Sequence, residues 1–546
     1  MGGTHCDGVV IKNMRIYRKK KELTRESDVK QSVLSLLKTL IQGENPGDIR
    51  KVMLSTTLVT NTLSKNQEEK AGLFIVPGLG APVSLVNRKI TDTYVASSGY
   101  VDHRGIEVSS LKAQEMENAH SYFSQRNIKN LAVVSKFSPR NQTQEKKAKE
   151  FFDKKGYSVF MGSGFSGKLN FPRRCMTAYL TASVFGIYRQ ALQEIENGIR
   201  DLGIQAPVYI LKADGGAVSL QESLNYPVES VLSGPAASIM GGLYTRHLFL
   251  EGDAVVLDIG GTTTDLGFFI NGDPLLEPLG IEIKNLKTLV RALKVYPVPL
   301  GGDTLFEMEK TGEVTLNNRR EGVAYAFGGP RATLTDVFMA LNEKHPKALE
   351  GVGKQLSQSS IPDKIQQIGN QAVDFLLENL NRHIEKINSR PIYTINEFFQ
   401  RKVFKPSKLI LIGGAAPYFQ KSLQEKTRLE VLLPDHFEIC NAIGAALSRV
   451  TAEVNLFANT ADGSLSVPET GFFGETYRGF SLQEAKETAV ENLRELARKR
   501  GLEDFANYEI TEASTFNMVR GFSTSGKNIR VRAQIKPGLI TEAAHG

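Results

Sequence analysis

Short runs that are apolar on both faces alternate along this chain with amphipathic stretches of helical period. Leu73-Phe74-Ile75-Val76, Leu131-Ala132-Val133-Val134, Val208-Tyr209-Ile210-Leu211, Ala254-Val255-Val256-Leu257 and Leu409-Ile410-Leu411-Ile412 have the continuous apolar character of strands covered on both sides. Ala113 to Arg126, Thr143 to Lys155 and Ile365 to Ile387 place their apolar residues at helical spacing. Near the start, Val9-Val10-Ile11 and Met14-Arg15-Ile16-Tyr17 read as two strands with a turn at Lys12-Asn13. A helix over about Ser27 to Gln42 follows, with Val29, Val33, Leu36, Leu37 and Leu40 on one face and Gly43 closing it. Alternating strands and helices predict an α/β protein with at least two mixed sheets. Past Asn455 the polar run Asn459 to Ser464 marks a boundary. Beyond it, a helix over about Leu482 to Arg500 and a strand at Ile529 to Ala533 predict a small α/β appendage. The expected domains are residues 1–190, 191–455 and 456–546.

Composition narrows the class. A length of 546 residues suggests three to four domains, and 41% hydrophobic with 23% charged residues is the balance of a soluble protein. No run reaches the roughly 18 apolar residues of a membrane span, and Met1 to Asp7 has no apolar signal core. Three scattered cysteines, Cys6, Cys175 and Cys440, form neither a disulfide framework nor a zinc cage, so a reducing, cytoplasmic setting is expected. The net charge of +8 is dilute over this length, and the run Arg18 to Lys21 falls on the predicted hairpin as a solvated face; no nucleic-acid partner is expected. The 49 glycines cluster at the ends of apolar runs, where phosphate loops occur.

An internal repeat carries the argument. Gly2-Gly3-Thr4-x-x-Asp7 recurs as Gly260-Gly261-Thr262-x-x-Asp265, and both copies run through apolar residues to Asn13 or Asn271. A strand ending in Gly-Gly-Thr, a tight turn and a returning strand make a phosphate-binding hairpin. Glycine lets backbone N–H groups approach phosphate oxygens, and threonine hydroxyls add donors. Gly2, Gly3, Thr4, Gly260, Gly261, Thr262, Thr263 and Thr264 are therefore candidate nucleotide contacts, and two such hairpins facing one cleft would clamp one nucleotide. Superposition sets Met1 opposite Ile259, so the position matching Asp258 falls one before Met1. The strand partnering Ala254 to Leu257 is missing as well, so either the start lies further upstream, or the chain is truncated, or this copy is degenerate. Gly413-Gly414-Ala415-Ala416, after the strand at Leu409 to Ile412, is where a loop would lie against a base and ribose.

These three elements resemble the actin, sugar kinase and Hsp70 ATPase superfamily, with its duplicated core of two mixed sheets around a nucleotide cleft. Within it, the chain resembles the hydantoinase A and oxoprolinase family. Ser55-Thr56-Thr57-Leu58-Val59-Thr60-Asn61-Thr62-Leu63 is similar to that family's Gly-Thr-Thr-x-x-x-Asn-Ala-Leu. Lys212-Ala213-Asp214-Gly215-Gly216 is similar to its Ser-Asp-Gly-Gly, and the stretch from Val228 to Ser238, containing Ser233-Gly234-Pro235-Ala236, closely matches its Ser-Gly-Pro-Ala signature. Pro330 to Asp336 resembles Pro-Thr-x-Thr-Asp. The family's histidine in Val-His-Thr is replaced in Val295-Tyr296-Pro297, so no role of that histidine carries over.

The resemblance implies ATP and magnesium as cofactors and a cyclic amide such as 5-oxoproline or a hydantoin as substrate. Phosphorylating the amide oxygen would create the leaving group that an unstrained lactam lacks. Asp258 is then the candidate for magnesium, directly or through water, and Asp265 a second catalytic candidate or a holder of the hairpin turn. Thr57, Asn61 and Asp214 are candidate substrate contacts by analogy, with helix capping and turn formation as the structural alternatives. A separate hydantoinase B-type subunit is a plausible partner, and self-association is equally compatible. Two other readings remain open: the ATP-using subunit of a ketone carboxylase, and a nucleotide-driven switch or activator of the same superfamily.

Overall fold

The computed structural model describes residues 5–23, 29–80, 90–244, 252–277, 279–308, 313–317, 319–356, 361–389, 403–502, 505, 508–520 and 523–540. Val33, Leu36 and Leu40 are buried on one face of helix Val29–Leu40, as the helical spacing predicts. Each such leucine withdrawn from water contributes about 1.5–3 kcal/mol. That face packs on strand His5–Lys12, which pairs antiparallel with Arg15–Leu23. The doubly apolar run at 71–76 became the centre of a parallel sheet ordered Tyr94–Ala96, Ala71–Val76, Asn130–Ser135, Ser158–Met161. Helices Ala113–Ser124 and Thr143–Lys154 and the long helix Phe171–Asp201 pack on it.

The second hairpin sits in a larger sheet. Asp253–Ile259 pairs antiparallel with Thr264–Ile270 on one side and parallel with Pro406–Ile412 on the other, which in turn pairs with Glu430–Leu432. Val295–Val298 adds to the Thr264–Ile270 edge. In the first half, Val52–Leu54 and Val208–Leu211 run parallel, and Ala217–Ser219 closes that sheet. Asn13 and Asn271, equivalent in the repeat, both take left-handed backbone at the hairpin turn, with φ 49° and 50°. Asparagine tolerates this region better than other side chains of its size.

Two helices join the halves. Ser233–Gly242 and Cys440–Leu447 cross with their backbones in contact. A Cβ on Gly241 would lie 1.8 Å from the Cys440 carbonyl oxygen, and one on Gly444 would lie 1.9 Å from that of Ala237. Only glycine permits that crossing.

The C-terminal part is an antiparallel five-stranded sheet ordered Phe472–Glu475, Ser464–Val467, Glu453–Asn459, Ser523–Ile535, Tyr508–Arg520, backed by helix Leu482–Lys499. The expected divisions at 190/191 and 455/456 fall inside helix Phe171–Asp201 and strand Glu453–Asn459. No helix among the described residues is long and apolar enough to cross a membrane.

Candidate functional site

One cavity of about 1420 Å³ runs between the halves. It is lined by both hairpins: Asp7 and Gly8 from the first, and Asp258, Gly260, Gly261, Thr262, Thr263 and Asp265 from the second. Gly413 and Gly414 close another side, and Thr57 reaches it from the first half. Gly2, Gly3 and Thr4 lie outside the described residues.

Strand register explains the acidic pair. Asp258 and Asp265 are direct cross-strand partners in the second hairpin. Both are partly exposed to the cavity but withdrawn from bulk water. Burial raises the Asp258 carboxyl above the ordinary range; nearby Asp7 adds to this, while a hydrogen bond from Ser238 and the charge of Lys21 oppose it. Asp265 is pushed up to about 7, first by burial and then by the Asp258 charge. Two carboxylates side by side in a dry pocket favour a shared proton or a cation between them.

The backbone around this pair is tightly tied. Gly302 N–H and Asp303 N–H donate to the carbonyls of Gly260 and Gly261 at 2.9 and 2.6 Å, and Ala415 N–H donates to Ile259 O at 3.2 Å. Thr335 Oγ1 donates to Gly302 O at 2.9 Å. Asp336 accepts from the N–H groups of Tyr325, Ala326 and Thr333, so the Pro330–Asp336 motif holds the loop beneath the second hairpin. Gly413 sits at φ +93°, and a Cβ there would lie 2.5 Å from Asp258 Oδ1. A glycine is required where that loop meets the carboxylate.

Three candidates fall elsewhere. Thr264 is buried and donates its hydroxyl to Leu300 O at 2.7 Å, so it points away from the cavity. Asn61 donates to Thr57 Oγ1 at 3.2 Å within its own helix and does not line the cavity. Asp214 is buried beside Lys212 Nζ (3.3 Å) and Arg291 Nε (3.6 Å), and accepts from Thr451 Oγ1 and Gly216 N–H. Burial opposes its charge, but these cations and hydrogen bonds hold its carboxyl down at about 2. It is the most buried anion of a network, with Glu229 3.8 Å from Lys212 and Glu453 3.6 Å from Arg291, that ties strand 208–211 to the C-terminal part. The Ser55–Leu63 and Ser233–Ala236 motifs meet here too. Ser233 Oγ donates to Thr56 O at 2.9 Å, and Leu232 N–H donates to Thr60 Oγ1 at 3.0 Å.

The chain also brings in residues that were not among the candidate site residues. Ser238 bonds Asp258, Asn441 Nδ2 donates to Asp7 Oδ2 at 2.7 Å, and Asp303 lines the cavity with Arg320 Nε at 2.9 Å from its Oδ2. Each lies on a segment remote from the hairpins, so only the tertiary fold juxtaposes them. At the position of the family's histidine, Tyr296 stacks on His383 at 3.8 Å.

Among the described residues no cationic side chain bridges the acid pair, though the charge of Lys21 reaches Asp258; such a pair beside glycine-walled loops suits a phosphate-bound magnesium ion. Among the described residues no group of three or more His, Cys, Asp or Glu could hold a metal by itself. A magnesium ion here would take part of its coordination from phosphate and water.

Comparison with known proteins agrees with this architecture. Against caprolactamase, described as ATP-dependent, the fold superposes with a TM-score of 0.73 at 17% identity, covering 99% of this chain and 87% of that one. Nucleotide-free acetone carboxylase superposes with a TM-score of 0.64 at 14% identity, covering 96% and 84%. In sequence, the alpha subunit of caprolactamase from Pseudomonas jessenii is 24% identical over 61% of this chain and 49% of its own length. The gamma subunit of acetophenone carboxylase from Aromatoleum aromaticum is 22% identical over 83% and 66%. An uncharacterized protein of Methanocaldococcus jannaschii is 21% identical over 67% and 56%. The chain thus spans between about half and two thirds of the length of these curated relatives. The hydantoinase/oxoprolinase N-terminal region matches residues 1–156 and the hydantoinase/oxoprolinase domain matches residues 174–454. With the second match alone covering half of the chain, this protein belongs to the hydantoinase/oxoprolinase family.

Proposed function

We propose that this chain binds ATP with magnesium in the cavity between its hairpins and uses it to open a cyclic amide, alone or as one subunit of a larger enzyme. The observation that carries this reading is the single cavity faced by both hairpins, with Asp258 and Asp265 beside Gly260–Thr263 and Gly413–Gly414. Gly260, Gly261, Thr262 and Thr263 would take phosphate oxygens, and Gly413 with Gly414 the nucleoside. Asp258 would hold magnesium through water, with Ser238 fixing its carboxylate. Magnesium would supply neutralisation of the phosphate charge as the terminal phosphoryl group moves to the amide oxygen. Asp265, whose carboxyl is pushed up to about 7 without a bound cation, would hold or release a proton beside that charge. Thr57 would face substrate from the opposite wall. Thr264, Asn61 and Asp214 are left out of this set because their side chains are engaged elsewhere.

Support for an amide substrate is the superposition on caprolactamase over almost the whole chain. The longest sequence match reported above, to an acetophenone carboxylase subunit, supports a second reading, in which the phosphoryl acceptor is an enolate or bicarbonate. Both relatives are named as subunits, which supports a partner chain of the hydantoinase B type. Three buried free cysteines accord with a reducing compartment. The test is phosphate release from magnesium-ATP with oxoproline, hydantoins and caprolactam, against simple ketones with bicarbonate. Ring-opened product matching released phosphate would establish the amide reading. Phosphate release coupled to a ketone and bicarbonate would replace it with the carboxylase reading.

A further inference from the structure

Charge around the cavity is uneven. The second half lines it with four carboxylates, Asp258, Asp265, Asp303 and Glu438, and, among the described residues, with one cationic side chain, Arg320. Glu438 is paired with Lys19 of the first hairpin. Asp258 and Asp265 form the cross-strand pair that a magnesium ion would answer. Asp303 has Arg320, whose Nε stands 2.9 Å from its Oδ2. A phosphate chain laid on Gly260 to Thr263 would bring further negative charge against three of these carboxylates, more than one divalent ion offsets.

Backbone contacts fix where the ion pair sits. Asp303 N–H donates to Gly261 O at 2.6 Å and Gly302 N–H to Gly260 O at 2.9 Å, so residues 302–303 ride on the turn of the second hairpin. The Asp303 carboxylate lies against Gly261: a Cβ there would meet Asp303 Oδ2 before any other atom. Arg320 reaches this carboxylate from the segment that follows strand Val314–Asn317. Its guanidinium is thereby held beside the proposed phosphate turn, with the side chain 32% exposed. A guanidinium carries five N–H donors in a planar fork, so a bond to Asp303 through Nε leaves donors on both amino groups for a second anion.

We propose that Arg320 binds the phosphate chain of the nucleotide and that Asp303 is the residue that positions it. This rests on the nucleotide reading of the cavity and adds to it a side-chain cation from the second half. Arginine suits the place better than lysine, because one edge of the fork stays on Asp303 while the other engages phosphate oxygens. The Asp303 carboxylate can stand beside a phosphate because its own charge stays paired.

The test is calorimetric titration of the full chain with ADP and with adenosine, each in the presence of magnesium. Arg320→Gln should weaken ADP binding about tenfold or more, having lost a charge-assisted contact, and leave adenosine affinity within about twofold. Arg320→Lys should recover part of the loss. Arg319→Gln, at the adjacent exposed arginine that does not line the cavity, should change neither affinity. Unchanged ADP affinity in Arg320→Gln, a matching loss for adenosine, or an equal loss in Arg319→Gln would overturn the phosphate contact. In an Asp303→Asn background, Arg320→Gln should cost clearly less, because the guanidinium is no longer oriented; an undiminished cost there would overturn the positioning role of Asp303. Failure of the unaltered chain to bind either ligand would overturn the nucleotide reading itself, and this contact with it.

Discussion

The two hairpins share a repeat, a turn residue and a cavity, yet their acidic residues sit in opposite electrostatic company. Asp265 faces another carboxylate and is pushed up to about 7. Its counterpart Asp7 has Lys21 at 3.5 Å and a hydrogen bond from Asn441. A duplicated spacing therefore does not duplicate the chemistry: what stands across the strand decides whether an aspartate is a paired anion or a poised acid. The second half carries the acid pair on which the proposed magnesium site rests, while the first sets its aspartate beside a lysine.

The largest expected effect lies outside both hairpins and checks that the comparison is set at the right place. Asp214→Ala would leave Lys212 and Arg291 without their buried anion, a loss of about 3–5 kcal/mol in urea unfolding. A loss under about 1 kcal/mol would mean that the network does not hold the first half together. Next, Asp258→Asn should weaken magnesium-dependent nucleotide binding about a hundredfold, whereas Asp7→Asn should weaken it tenfold or less. Equal losses in a titration would erase the difference between the halves. Gly413→Ala should cost about 1–3 kcal/mol, since it places a methyl group against Asp258 Oδ1 at a left-handed position. The same substitution at Gly414, where a Cβ meets nothing within 4 Å, should cost less.

The last effect is one of pH. An unfolded aspartate titrates near 3.9 and folded Asp265 near 7. Between these values the folded chain keeps a proton that the unfolded chain has released, so ligand-free stability should fall as pH rises from about 4 through 7. Asp265→Asn should flatten that slope and raise the melting temperature at pH 8. A slope unchanged in Asp265→Asn would show that the acid pair titrates elsewhere.

Much of this architecture was legible as spacing. The repeat located both hairpins, and the equal left-handed φ of Asn13 and Asn271 shows that it preserved the turn itself. The apolar runs became the sheet centres because continuous burial leaves no polar face to mark an edge. Site assignment was harder. Thr264 adjoins Asp265 on one strand, and alternation sends neighbours to opposite faces, so both could not serve the same cavity. That parity was readable and excludes Thr264. For Asp214 and Asn61 nothing local distinguishes a cleft residue from a network anchor. Arg291 and Thr451, which together with neighbouring Lys212 decide the matter for Asp214, come from two separate segments. Ser238, Asn441 and Asp303 were hidden for the same reason.

The account rests on a magnesium–nucleotide site built on the second hairpin, and calorimetric titration of ATP into the full chain tests it most directly. Saturable binding that requires magnesium and is lost in Asp258→Asn, with the variant's fold intact by circular dichroism, is the predicted result. Binding of equal strength without magnesium or in the variant, or no binding by the unaltered chain, would contradict it.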